Sequence, residues 1–243
     1  MRTITLDEMK TVLPSLDLVT DIEAGFVAYS DGQAVVPPVG ELLMDKGDVH
    51  IKYGYLRGDE YYVVKIASGF YDNPKIGLPS GNGMMLLFRQ DTGELVSILM
   101  DEGHLTDIRT AVAGAIAAKH LAPERVDRIG ILGTGVQARL QLQQLAGVTT
   151  CRDAIVWGRG DEQLERYRAD MAASDFNIET TQNAADILPT CNLIVTTTPA
   201  TSPLLHASAL RAGTHITAVG SGYRRNCSAF IAARAARTLR LGG

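Results

Sequence analysis

The sequence predicts an α/β fold: a doubly wound parallel sheet in the second half, preceded by an α+β domain. Three observations predict it. From residue 127 onward, short apolar runs alternate with helix-favouring segments. A glycine-rich turn joins the first of those runs to its helix. Before residue 100, short strands are separated by turn residues, the pattern of an antiparallel sheet. The expected division is a first domain over residues 1–115 and a second over residues 116–243.

Taken in order, residues 5–13 carry helical spacing of Leu6, Met9, Val12 and Leu13 behind a Thr5-x-x-Glu8 capping box. Leu16 to Tyr29 reads as a second amphipathic helix, closed by Asp31-Gly32, and Pro37-Pro38 then breaks the chain. Val49 to Leu56 alternates as a strand, Arg57-Gly58-Asp59 turns, and Tyr61 to Ala67 follows as the next. After a Gly/Pro/Asn-rich loop, Met84 to Phe88 and Leu95 to Met100 form another pair around Asp91-Thr92-Gly93. Leu105 to Leu121 is a helix rich in Ala and Gly, ended by Pro123 and expected to bridge the two domains.

The second half opens with a strand at 127–132 and a helix from about 136 to 146. A strand at Ala154 to Trp157, a polar helix over 162–173 and a short strand near Phe176 to Glu179 come next. Ala184 to Leu188 is a short helix, Leu193 to Val195 a fourth strand, and His215 to Gly220 a fifth. Ligands of such a sheet bind at the carboxyl ends of the strands.

The segment Ile131-Leu132-Gly133-Thr134-Gly135-Val136-Gln137-Ala138 is the strand–turn–helix that holds a dinucleotide's pyrophosphate. Gly133 permits the tight turn, Gly135 lets backbone approach the phosphates, and Ala138 allows close helix–strand packing. Unpaired amides at the helix start face the anion. The other reading, a glycine turn without a ligand, fits poorly with the complete alternation after it. This is a Rossmann-type nucleotide half.

Composition excludes several classes. The chain has 243 residues and a formal net charge of −4, and no basic cluster is interleaved with aromatics, so nucleic acid is not an expected partner. No apolar run approaches membrane-spanning length, and the first residues lack the apolar core of a signal peptide; a cytoplasmic protein is expected. Cys151, Cys191 and Cys227 are odd in number and lack metal-ligand spacing, so no metal site is expected and the first two read as reduced, buried thiols.

Several further segments stand out together: Val64-Lys65-Ile66, Thr92-Gly93-Glu94-Leu95, Leu105-Thr106-Asp107-Ile108-Arg109-Thr110-Ala111, Val156-Trp157-Gly158-Arg159, Thr196-Thr197-Thr198-Pro199 and Ala212 to Gly220. With the glycine turn, they make the chain resemble the ornithine cyclodeaminase/mu-crystallin family over roughly residues 1–221. The helix with Thr-x-x-Arg-Thr-Ala followed by Gly-x-Gly-x-Gln-Ala is far more specific than either piece alone. The resemblance implies an NAD-dependent enzyme, with NADP possible, acting on an amino or imino acid, and a homodimer formed through the first domain. Cyclodeaminases of this kind take a hydride from the substrate's α-carbon, and the side-chain amine attacks the resulting imine. Ammonia leaves and the hydride returns. Relatives include alanine dehydrogenases and ketimine or pyrroline-2-carboxylate reductases, and a crystallin-like member can be a binding protein without turnover.

Carried onto this chain, the resemblance implies that Lys65 holds the substrate carboxylate and can transfer a proton. By pattern alone, a lysine mid-strand is as readily an outward, solvated residue. Arg109 is implied as a bidentate carboxylate clamp, against a helix-end salt bridge as the plain alternative. Lys52 shares a strand face with His50 and either extends the substrate pocket or faces solvent. Thr110, Gly133, Thr134, Gly135, Val136, Gln137, Thr196, Thr197, Thr198, Val219 and Gly220 are expected around the cofactor, with a capped turn as the other reading of the threonines. Arg159 follows the second strand, where an acid takes ribose hydroxyls and an arginine suits a 2′-phosphate. Asp161 is close enough to leave that choice open, with a slight lean to NAD.

Two departures from the resemblance matter. No arginine follows the Pro-x turn at Pro38-Val39-Gly40-Glu41, which Lys52 can compensate. After Gly220-Ser221 the family continues with a substrate-binding aspartate, whereas here Gly222-Tyr223-Arg224-Arg225 takes over, and residues 221–243 hold five Arg and five Ala and no acid. The expectation is a truncated C-terminal end produced by a shifted reading frame, with a divergent amphipathic helix as the alternative. Weak turnover and low stability would follow.

Overall fold

The computed structural model describes residues 1–198, 200 and 202–219. It divides into two compact units, Met1–Arg109 and the chain from Thr110 onward. Gly220 and the arginine-rich tail lie outside the described residues.

The first unit is a seven-stranded mixed sheet with two helices. Strand β1 (Arg2–Thr5) leads into helix α1 (Leu6–Val12). The Thr5 side chain accepts from the Glu8 amide and the Glu8 carboxylate accepts from the Thr5 amide, so the expected capping box is present. A 3-10 turn (Leu13–Ser15) precedes α2 (Leu18–Ser30), capped by Asp17, whose carboxylate accepts from the Thr20 amide. Gly32, at φ 72, closes it.

Strands β2 (Ala34–Val35), β3 (Gly40–Met44), β4 (Gly47–Leu56), β5 (Tyr61–Gly69), β6 (Gly81–Arg89) and β7 (Leu95–Met100) follow. Their order is β1-β7-β6-β5-β4-β2, with β3 also paired to β4. Every pair is antiparallel except β1 with β7. Strand β1, β2 and β3 extend what the sequence pattern named. The second helix forms as expected, with Leu18, Ile22 and Gly25 half-buried along one side; none of its residues is fully buried, and Phe26, Val27 and Tyr29 are exposed.

Helix α3 (His104–Leu121) runs across the division between the units. In the second unit, β8 (Ile129–Leu132), α4 (Val136–Leu145), β9 (Asp153–Trp157), α5 (Asp161–Asp170), β10 (Asn177–Thr181), α6 (Ile187–Thr190), β11 (Leu193–Thr196) and β12 (His215–Ala218) alternate. The all-parallel order is β10-β9-β8-β11-β12, so the direction of strand succession reverses between β8 and β11. That reversal makes a crevice at the strands' carboxyl ends.

Apolar clusters cover both faces of this sheet. One joins Ile129, Ile131, Leu142, Val156, Tyr167 and Val195; the other joins Leu132, Ile155, Ile187, Leu188, Ile194 and Leu205. Near-continuous apolar strands are what burial on both faces requires. Cys191 and Cys151 are both free thiols, as expected; Cys191 is buried, whereas Cys151, in the loop after α4, is only half-buried. No helix of the described residues is long and apolar enough to cross a membrane.

Candidate functional site: a glycine turn and a cluster of cations

The turn after β8 is built for close approach. Gly133 has φ 124, and a Cβ there would stand 2.5 Å from the Thr197 hydroxyl oxygen, so only glycine fits. Its amide donates to the Trp157 carbonyl at 3.0 Å, joining the turn to the end of β9. Gly135 differs: it caps α4 with ordinary extended backbone, and a Cβ there would meet nothing within 4 Å. No side chain caps the helix, so its first-turn amides are left for a ligand. Thr134 contributes backbone to the turn, and Val136 opens the helix, largely exposed. The Gln137 side chain accepts from the Gln141 amide at 3.3 Å.

Arginine 139 supports this turn from the helix side. Its guanidinium donates to the carbonyls of Thr134 at 2.6 Å and Gly135 at 3.0 Å. It is held by Asp170 at 2.7 Å and lies over the Tyr167 ring, whose hydroxyl donates to the Ala138 carbonyl at 3.1 Å. With the carbonyls turned toward Arg139, the amides are free for the opposite side. Sequence reading missed this residue; an arginine one turn into the helix, after the Gly-x-Gly, was the available signal.

The β11 tip borders the turn. The Thr197 amide and hydroxyl both donate to the Leu132 carbonyl, at 2.9 and 3.0 Å. Thr196 and Thr198 each bury a hydroxyl oxygen with no hydrogen-bond partner among the described residues. Such orphaned groups are uncommon and fit a place where a ligand supplies the partner. The Val219 amide donates to Thr196, extending β12 beside the tip. Thr110 lies on α3, where its carbonyl accepts from Gln141 at 3.1 Å. These features fit a dinucleotide: an uncapped helix start, an open glycine and unpaired hydroxyls at a strand-order reversal. A groove of about 430 Å³ between Ala122, Val126, Val148 and Leu193 lies at the strands' amino ends, away from this chemistry.

The first unit carries the cations. Lys52 on β4 stands directly opposite Lys65 on β5, and Lys65 is opposite Met85 on β6. Like charges directly opposite on a sheet destabilise it. The Lys65 ammonium donates to the Thr106 hydroxyl at 3.2 Å, at the start of α3, and Arg109 follows one turn later. Burial, then the charges of Arg109 and Lys52, push Lys65 down to about 8, opposed by Asp101. Burial and Arg109 lower Lys52 as well. Desolvation lowers the Arg109 guanidinium, with Asp107 opposing; arginine nonetheless keeps its charge.

Asp101 is the missed member of this cluster. It is 1% exposed, and one oxygen accepts from the Leu105 amide at 2.9 Å while the other has no hydrogen-bond partner among the described residues. Glu102, at φ 53, and Gly103, at φ 87, form the left-handed turn that aims α3. His50 is drawn away from the cations, its two ring nitrogens each 3.5 Å from a carboxylate, Glu41 and Asp48. Arg159 is exposed after β9, and Asp161 accepts from the Gln182 side chain. No group of metal-binding side chains occurs among the described residues.

Known proteins are similar to this chain in sequence and fold. An uncharacterized cyclodeaminase, y4tK, of Sinorhizobium fredii is 42% identical over 226 residues, covering 91% of this chain and 68% of that protein. The structure of Thermococcus litoralis Δ1-pyrroline-2-carboxylate reductase in complex with NADH and L-proline superposes with a TM-score of 0.84 at 26% identity, covering 90% of this chain and 68% of that one. An archaeal alanine dehydrogenase dimer with bound NAD gives 0.78 at 26% identity, covering 88% and 65%. The chain thus spans about two thirds of the length of each. The family model for ornithine cyclodeaminase/mu-crystallin matches residues 3–226, and the chain belongs to that family.

Proposed function

We propose that this chain is an ornithine cyclodeaminase-like enzyme that acts on an amino or imino acid with a nicotinamide dinucleotide. The observation that carries the reading is Lys65: a half-buried ammonium near pKa 8, opposite Lys52 and in the field of Arg109. A carboxylate relieves that concentration of positive charge. Arg109 offers the paired donors that fix a carboxylate's plane, and Lys52 adds a second cation from the sheet. Lys65, poised near neutrality, can give up and recover a proton at Nζ as the substrate nitrogen changes protonation state.

The cofactor's pyrophosphate is assigned to the amides of Gly133, Thr134, Gly135 and Val136, with Gln137 beside them. Thr196, Thr197, Thr198 and Val219 border the rest, and Thr110 and Arg159 complete the set. A bound nicotinamide supplies a hydride acceptor and donor. Gly220 is retained in the assignment from the resemblance alone.

A second reading is a dehydrogenase or imine reductase exchanging hydride with soluble cofactor, favoured by the pyrroline-2-carboxylate reductase and alanine dehydrogenase likenesses. Homodimerisation through the first unit is part of the proposal. It is supported by exposed Leu42, Leu43, Met44 and Tyr53 on that unit and by the dimeric alanine dehydrogenase.

The test is a screen of amino and imino acids with NAD and NADP, following ammonia and reduced-cofactor absorbance together. Ammonia without lasting absorbance change supports cyclodeamination; stoichiometric change of both supports a dehydrogenase. Cofactor affinity without turnover on any of them leaves a binding protein.

A further inference from the structure

We infer that the substrate is a short dicarboxylate, a 2-amino or 2-imino diacid whose distal acid group is held by Lys52; this rests on the reading of the same cations as an amino- or imino-acid site and deepens it by naming the substrate class.

The cations stand in fixed relation within the first unit. Lys52 on β4 pairs with Lys65 on β5, and residues directly opposite in an antiparallel sheet share a face with Cβ atoms about 5 Å apart. The Lys65 ammonium is tied to α3 by its bond to the Thr106 hydroxyl at 3.2 Å, and Arg109 follows one turn later on that helix. The charge of Arg109 reaches both lysines. Lys65 and Arg109 are enough for one carboxylate, which leaves Lys52 over.

Lys52 lacks a counter-ion. It makes no hydrogen bond or ion pair among the described residues, and the charge that acts on it, Arg109, has the same sign. The acids on its own face are engaged elsewhere: Glu41 on β3 and Asp48 on β4 each stand 3.5 Å from a ring nitrogen of His50. Asp101 offsets Lys65, from a buried place where it accepts from the Leu105 amide. Asp107 offsets Arg109 and acts on neither lysine. Lys52 and Arg109 both keep exposed surface, so a ligand can reach them. One carboxylate on Lys65 and Arg109 therefore leaves a neighbouring cation unanswered, and a second carboxylate on the same small molecule answers it. A side-chain ammonium, as in ornithine, would instead meet Lys52 with like charge.

The experiment is isothermal titration of the full chain, with NADH present, using oxaloacetate and 2-oxoglutarate beside 2-oxobutyrate and 2-oxopentanoate, which match them in chain length and lack the distal acid. The tighter-binding diacid should exceed its counterpart by about fivefold or more, as for one ion pair at a partly exposed cation. L-Ornithine should bind more weakly than L-norvaline, the same skeleton without the side-chain amine. Lys52→Met should remove most of the diacid's advantage and lessen the penalty on ornithine, while Lys52→Arg should keep both. Lys52→Glu should reverse the order of ornithine and norvaline, a change that a merely structural lysine does not produce. Diacid and monoacid binding alike, ornithine binding more tightly than norvaline to the native chain, or Lys52→Met weakening diacid and monoacid by the same factor overturns the inference while the amino- or imino-acid reading stands. Binding of none of these oxo and amino acids overturns both.

Discussion

Leu142 and Leu42 both lie in regular elements, yet Leu142 has no exposed surface while Leu42 is 58% exposed. The contrast runs through the whole molecule. In the second unit, β8, β9 and β11 are covered on both faces by apolar side chains. In the first, Met9 is the one buried apolar side chain among the described residues, and the other buried side chains are polar, Ser97 and Asp101. The second unit therefore owes its order to packing. The first is held by sheet hydrogen bonds, caps and cross-strand pairs such as the stacked Tyr62 and Phe88 rings, and it leaves apolar side chains exposed. A scaffold that does not depend on a dry core can tolerate three cations in close company, which a packed interior cannot.

The largest expected effect breaks the contrast if it fails. Leu142→Ala should cost about 2–5 kcal/mol of unfolding free energy, read by denaturant melts, because it opens a cavity among Ile129, Ile131 and Val156. Next, Arg139→Gln should weaken cofactor binding by roughly tenfold, since the carbonyls of Thr134 and Gly135 lose the group that turns them away from the ligand. Arg139→Lys should recover part of that affinity, while restored stability alone would not.

Lys65 sharpens the contrast through pH. Its ammonium is the form that holds an anion, so the affinity for a small carboxylate such as pyruvate should fall as pH rises through about 8. Lys65→Met should weaken that binding about tenfold and remove the pH dependence. For stability the sign is opposite. The folded pKa lies below the unfolded one, so burial of Lys65 costs stability below about 8, and the cost is relieved as pH climbs toward the ordinary lysine value of 10.5. The smallest effect is Leu42→Ser, which should change the unfolding free energy of the monomer by no more than about 0.5 kcal/mol.

The second unit was the more legible because its elements are local. The Gly-x-Gly turn, the apolar runs and the polar helices each announce themselves within a dozen residues or fewer, and strand order then follows from parallel winding. In the first unit, the Thr5–Glu8 capping box and the Asp91-Thr92-Gly93 turn were readable for the same reason. Strand β1 was not: four residues carry too little alternation, and their pairing with β7 joins Arg2 to Ser97 across the whole unit. The exposure of α2 was equally hidden, because periodicity shows that a face is apolar and not what covers it.

In the candidate site, Lys65, Lys52 and Arg109 could be named in advance, but Asp101, Thr106 and Arg139 could not. Asp101 acts through the Leu105 amide and Thr106 through the Lys65 ammonium, contacts that leave no trace in residue identity, whereas Arg139, which holds the Thr134 carbonyl, left only its place one turn into the helix as a signal. Gln182 is the same kind of case: only its contact with Asp161 reveals that the acid at the β9 tip is engaged.

Gly135→Val tests the central claim most directly. The position is extended and open, so a valine adds no internal clash and fills the space assigned to the pyrophosphate. Titration with reduced dinucleotide should show saturable binding to the native chain and none to the variant, at closely similar melting temperatures. Equal binding by both proteins would contradict the account.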